Sequence, residues 1–274
     1  MKLARFVTDE GRHAVGRLSL PMGGAGILPG TGLQAYPLVG ELFGALTFEA
    51  EAVPVCDFLP PVEPPNIFAI GRNYRAHAAE TGSHLPERPL IFQKATTTLL
   101  GHEATIRLPR SAPDEVDFEA ELAIVIGRRA RRVPEALALE YVLGYTCAND
   151  VSARDCQRND KQWARAKGFD TFCPLGPWLV TADELDPDAC AIRSRLNGRV
   201  MQAANTSAMV FACRTLVSYL SHQFTLLPGT VILTGTPEGV GMARQPPVFL
   251  RDGDRIEIEI EGVGTLSNPV AHEE

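Results

Sequence analysis

A chain of 274 residues, 45% hydrophobic and 22% charged, suffices for one large domain, or a large and a small one, with a substantial core. Its formal net charge of −7 excludes the basic footprint of a nucleic-acid binder, and no run approaches the roughly 18 apolar residues of a membrane helix. Residues 1–6 run into Asp9 and Glu10 without a signal-peptide core, and the six cysteines form no C-x-x-C pair, so a cytoplasmic protein with reduced thiols is expected.

In chain order, short strand-like runs at 2–7 and 14–20 belong to a Gly- and Leu-rich opening segment with few candidate catalytic groups. Gly23-Gly24-Ala25-Gly26 lacks the G-x-G-x-x-G spacing of a nucleotide loop. Pro60, Pro61, Pro64 and Pro65 forbid regular structure, which places a boundary between a small N-terminal α/β domain, 1–60, and a larger domain, 61–274. Residues 66–70 read as a strand ending at Gly71, 73–81 as a short helix stopped by Gly82, and 90–93 as a strand. The strand signal is strongest over 115–126. Arg128, Arg129, Arg131 and Arg132, which follow it, read as a solvated turn rather than a binding patch. A further apolar run, 141–148, ends at Asn149-Asp150. Residues 192–196 and 199–202 flank Asn197-Gly198, a type I′ hairpin signal. The clearest helix spans 211–224, and strands at 231–234 and 255–260 follow. Strands outnumber helices and do not alternate with them, so the reading is a β-rich α+β fold.

The run 116–126 carries the chemistry. Alternate strand side chains share a face. Val116, Phe118, Ala120, Leu122, Ile124 and Ile126 fall on one face. Asp117, Glu119, Glu121, Ala123 and Val125 fall on the other. A solvated acidic face would stay polar, but this one turns apolar just past Glu121. Partly buried carboxylates repel one another, and a bound cation would relieve them. Carboxylate oxygens without a neighbouring His or Cys suit Mg²⁺, Mn²⁺ or Ca²⁺ rather than zinc. Taken alone, the strand leaves metal binding and a solvated face equally open. Asp150, at the end of a buried run, reads either as a third ligand or as a turn-former.

The chain resembles the fumarylacetoacetate hydrolase family. The matching pieces stand in the family's order: Ile70-Gly71-Arg72-Asn73-Tyr74 with His77 and Glu80; Ile91-Phe92-Gln93-Lys94; Asp117-Phe118-Glu119-Ala120-Glu121-Leu122; Asn149-Asp150-Val151-Ser152-Ala153-Arg154-Asp155; Trp163 to Asp170; Leu196-Asn197-Gly198; and Thr234-Gly235-Thr236-Pro237-Glu238-Gly239-Val240-Gly241. The resemblance implies a mixed β-roll fold, usually a homodimer. It also implies Mg²⁺, Mn²⁺ or Ca²⁺ on Glu119, Glu121 and Asp150, with Asp117 behind them.

His-x-x-Glu is by itself more often a surface contact. Within the resemblance, His77 and Glu80 form a water-activating dyad on a segment able to act as a lid. Lys167, otherwise a solvated lysine, becomes an electrophile beside the substrate's oxo group. Arg72, Tyr74, Lys94, Arg154, Gln157 and Thr236 are placed around the substrate, a small oxo-acid. The turn Thr234-Gly235-Thr236 offers backbone N–H groups to a carboxylate or oxyanion. Specificity is expected near His84 and in the loop 242–247. No G-x-S-x-G elbow competes with this site, nor does a zinc-type His or Cys pair.

The activity expected first is hydrolysis of a C–C bond in an acylpyruvate or related β-dicarbonyl acid. The alternative, over the same site, is decarboxylation or isomerisation of a small oxo-diacid of the oxaloacetate or hydroxymuconate type. A non-catalytic metal- or acid-binding protein is a third reading, against which His77, Glu80 and Lys167 together argue.

Overall fold

A computed structural model describes residues 1–19 and 32–274. The Gly23–Gly26 motif and the end of the expected 14–20 strand lie outside the described residues. Strands dominate, as the sequence pattern predicts. The larger sheet runs through Thr47–Phe48, Gln34–Val39, His13–Ser19, Lys2–Val7, Cys173–Thr181, Val142–Asn149, Ala120–Ile126, Val231–Leu233, Ile67–Gly71 and Leu90–Lys94. The second sheet runs through Ile106–Leu108, Gly264–His272, Arg255–Ile260, Ala191–Leu196 and Arg199–Asn205. The segment before residue 60 continues the larger sheet at one end, where Leu3 pairs with Leu179.

Ala120–Ile126 lies at the heart of the molecule, and every residue in it is buried. It pairs with Val142–Asn149 on one side and Val231–Leu233 on the other. Its alternation sends Leu122, Ile124 and Ile126 into the main core with Ile258 and Leu266 of the second sheet. Ala123 and Val125 enter a separate apolar cluster with Ala148, Leu175 and Leu233. Past Glu121 both faces are therefore packed in protein. The hairpin at Asn197-Gly198 has both residues at positive φ, 51° and 79°, as a type I′ turn requires.

Two expected elements differ. The strand expected over 115–126 is broken into Val116–Asp117 and Ala120–Ile126. Side chains replace the ladder at the break. Asp117 accepts the N–H of Phe118 at 2.8 Å, and Asn149 Oδ1 accepts that of Glu119 at 2.9 Å. The helix expected over 73–81 is shorter, α1 (Arg75–Glu80). Tyr74 instead bridges Met209, and Asn73 spends its amide on other chain segments. Two small helices, α2 (Arg154–Asn159) and α3 (Ala164–Gly168), stand between strands, and α4 (Cys213–Gln223) matches the expected long helix. No described helix is long and apolar enough to cross a membrane.

Candidate metal centre and active site

Glu119 stands in the break of the strand, Glu121 two residues on, and Asp150 just past the paired strand. The backbone joins them, since the N–H of Asp150 donates to Glu119 O at 3.0 Å. Each offers a carboxylate oxygen within 4.8 Å of the others', and all three are buried. Glu119 and Glu121 face a cavity of about 240 Å³, with Asp150 beneath.

Buried cations neutralise most of this charge. Lys167, on α3, donates to Glu119 Oε2 at 2.8 Å and to Asp150 Oδ2 at 2.7 Å. Lys94 donates to Asp150 Oδ1 at 2.5 Å. Arg154, at the start of α2, donates Nε to Asp117 at 2.9 Å and Nη1 to Gln157 at 2.9 Å. Its Nη2 lies 2.8 Å from Glu119 Oε1 as an ion contact outside hydrogen-bond alignment. Burial pushes the Glu119 carboxyl up, but the charges of Lys167 and Arg154 outweigh it and hold the group well below the usual carboxylate range. Burial likewise opposes the Lys167 charge, yet Asp150 and Glu119 raise its ammonium above the ordinary lysine value.

Glu121 is the exception. Its polar partner is the backbone N–H of Gly235, at 2.6 Å, and no lysine or arginine among the described residues pairs with it. Burial, then the charges of Asp150 and Glu119, push its carboxyl well above the ordinary range. Four buried carboxylates, Asp117 included, thus face three buried cations. A hard divalent cation fits this set of oxygens and would supply the missing positive charge beside Glu121.

The cavity wall collects most of the expected residues. Arg72, His77, Arg154, Gln157, Lys167 and Thr236 line it together. His77 Nδ1 and Glu80 Oε1 are 2.8 Å apart on α1, and both Glu80 oxygens accept the N–H of Gly239, at 2.9 and 3.1 Å. Two expected substrate contacts lie elsewhere. Lys94 sits behind Asp150, off the wall. Tyr74 is 1% exposed and off the wall, and its hydroxyl has no partner among the described residues. Of the regions expected to set specificity, the one near His84 puts Thr81 and Ser83 on the wall, with His84 itself exposed and off it, and the loop 242–247 contributes Met242.

Sequence reasoning missed the scaffold of the 234–244 turn. The amide of Gln202 is buried, and its Nε2 donates to Thr236 Oγ1 at 2.7 Å and Pro237 O at 2.9 Å. Its Oε1 accepts the N–H of Ala120 at 3.0 Å and the hydroxyl of Ser194 at 2.9 Å. Asn73 bonds Thr234 O and both backbone groups of Phe211. Asp117 accepts the N–H groups of Gly241 and Met242 at 2.8 and 3.0 Å, which sets it behind the carboxylates rather than among them. Gly235 has φ 99°, and a Cβ there would stand 2.7 Å from that of Asn73.

A β-rich fold with a buried carboxylate triad and a lysine at a small cavity, beside a His–Glu pair, defines a class of buried acidic site able to hold a metal ion. Residues 66–271 match the family model described as fumarylacetoacetate (FAA) hydrolase C-terminal, and the chain belongs to that family. The mitochondrial oxaloacetate tautomerase fahd2 of Xenopus laevis is 49% identical over 77% of this chain and 67% of its own. The crystal structure of 5-carboxymethyl-2-hydroxymuconate delta-isomerase from Mycobacterium smegmatis is 44% identical, with TM-score 0.86 and all of both chains covered. That of 2-hydroxyhepta-2,4-diene-1,7-dioate isomerase from Mycobacterium marinum is 41% identical, with TM-score 0.86 over 100% of this chain and 99% of that one.

Proposed function

We propose that the protein is a divalent-metal-dependent isomerase that moves a proton between keto and enol, or between double-bond isomers, of a small 2-oxo-diacid. The observation that carries it is Glu121, a buried carboxylate with no lysine or arginine partner among the described residues, beside two others and on a cavity that His77, paired with Glu80, also lines. The relatives at 41–49% identity bear the names of a tautomerase and two isomerases, which favours isomerisation over the C–C hydrolysis expected first.

Glu119, Glu121 and Asp150 would hold the cation. When bound, it would polarise the 2-oxo group and favour the enolate form. The chain's own residues do the rest. With Nδ1–H donating to Glu80, the basic nitrogen of His77 is Nε2. It takes the proton from carbon 3 and delivers it to the oxo oxygen to give the enol, or to the far carbon of the conjugated system to shift the double bond. The Gly239 N–H holds Glu80, and Glu80 holds the ring. Lys167 Nζ presents a positive charge beside the triad, where negative charge develops on the oxo oxygen. Phe92, Trp163 and Met242 on the wall shed water from the reacting carbon.

Proton NMR in D2O with oxaloacetate tests the reading. Isomerisation exchanges the carbon-3 protons and leaves the formula unchanged. Hydrolysis of an acylpyruvate would yield two fragments, and decarboxylation would yield CO₂. Glu119→Ala is expected to slow exchange by at least ~10²-fold, because even the outer partners of metal ligands are worth 10–100-fold. Full exchange in excess chelator would sink the metal-dependent scheme.

A further inference from the structure

Five of the six charged or titratable side chains on the cavity wall are engaged. Lys167, Arg154 and Glu119 are ion-paired, Glu121 accepts an N–H, and His77 meets Glu80. Arg72 is the sixth, and among the described residues its guanidinium has neither an ion pair nor a hydrogen bond. Its backbone is also unusual. Arg72 has φ 58°, in the left-handed region that non-glycine residues seldom adopt.

Both neighbours clamp that turn. A Cβ on Gly71 would stand 2.9 Å from the Trp163 ring, and the Asn73 amide is held by Thr234 and Phe211. A glycine would occupy position 72 with less strain, so an arginine there points to a use for its side chain.

Contacts order the wall. Trp163 packs on Gly71, and Phe92 meets Trp163 edge-on at 5.3 Å between ring centres. Lys167 Nζ lies 5.3 Å from the centre of Phe92 and reaches Glu119 and Asp150. Two aromatic rings thus run in contact from Gly71, the neighbour of Arg72, to Lys167 at the carboxylate triad. A ligand in this cavity therefore meets the guanidinium of Arg72, the apolar rings of Phe92 and Trp163, and the carboxylates with Lys167. Guanidinium matches a carboxylate with two parallel hydrogen bonds. The cavity, about 240 Å³, lies below the roughly 300–1,000 Å³ typical of larger ligands, so the molecule is short.

We infer that Arg72 binds the second carboxylate of a short 2-oxo-diacid and so makes the site prefer diacids over monoacids. The inference rests on the proposed function only in assigning the oxo-acid end to the triad.

Calorimetric titration in Mg²⁺ with two unreactive five-carbon probes, 2-oxoglutarate and 2-oxopentanoate, tests it. The probes differ by a carboxylate in place of a methyl group. Arg72→Gly removes the side chain and takes the same φ without strain. The wild type is expected to bind the diacid at least ~10-fold more tightly, and Arg72→Gly to lose ~10–100-fold for the diacid alone, the worth of a charged hydrogen-bonded contact. Equal weakening of both probes, an unchanged diacid preference in the variant, or no preference in the wild type would each overturn the assignment. Oxaloacetate proton exchange is scored separately. Its absence alongside an Arg72-dependent diacid preference sinks the reaction and leaves the binding site standing.

Discussion

At the scale of single residues, a side chain matters here for how many groups it satisfies. Gln202 uses both ends of its amide, so Gln202→Leu would strand the Ala120 N–H and Pro237 O in a dry interior. Each such group costs ~1–3 kcal/mol, and a total loss of about 2–4 kcal/mol in urea unfolding is expected. Thr236 would lose its tether, so KM should rise as well. A variant within about 0.5 kcal/mol of wild type, the range of ordinary surface changes, would contradict this account. Glu119 and Glu121 drew attention because acidic residues inside an apolar run demand a reason, and only the family resemblance joined Asp150 to them. Gln202 carries no such signal. It is a lone amide whose partners, Ala120 and Thr236, lie far away in sequence, and only the pairing of two sheets brings them together. Tyr74 misled the reading in the opposite sense, since its place in a motif does not say which way its ring points.

At the scale of elements, the turn 234–244 ties the site together. Glu80 reaches its Gly239 N–H, Asp117 its Gly241 and Met242 N–H groups, and the Arg244 guanidinium closes it onto Met201 O. Gly241 has no room for a side chain. A Cβ there would stand 1.8 Å from Val248 O and 2.5 Å from Asp117 Oδ1. Gly241→Ala is expected to displace Asp117 and Arg154, lowering both Tm and activity. Gly168→Ala is the control. Its Cβ would meet nothing within 4 Å at the end of α3, so stability should hold or rise by ~0.5–1 kcal/mol. Thermal unfolding of the pair decides, and an equal loss in both would refute the steric argument. The sequence pattern located Ala120–Ile126 and the Asn197-Gly198 hairpin, whose signals are local. It did not show the break at Phe118–Glu119, because that break exists to let Asp117 and Asn149 cap backbone groups. Cys173–Thr181 was also missed, since Pro174, Gly176 and Pro177 read as anti-strand signals although the strand pairs on both sides.

For the whole molecule, the charge around the triad links folding to pH and to metal. Glu119 lies below the ordinary range, so its contribution is present above the unfolded value of 4.5 and is lost as pH falls through its folded value. Glu121 lies above 4.5, chiefly through burial and then through Asp150 and Glu119. Its contribution is full below 4.5 and is lost as pH rises through the folded value. Above pH 4.5, then, Glu121 weakens the metal-free protein as pH rises. His102 opposes it, since burial holds its imidazole below 6.5 and it strengthens the fold as pH rises up to about that value. A divalent cation needs the deprotonated carboxylate, so its stabilisation grows over the same window. At a hundredfold excess over Kd the gain is ~2.7 kcal/mol, or roughly 5–10 °C in Tm for a chain of this size. Differential scanning calorimetry with Mg²⁺ and with chelator, from about pH 5 to pH 8, should show that gap widening with pH. Glu121→Gln should remove the Glu121 share of the slope and most of the gap, because a neutral amide needs no cation beside it. A gap that is constant with pH, or that survives intact in Glu121→Gln, would place the metal's charge partner somewhere other than Glu121.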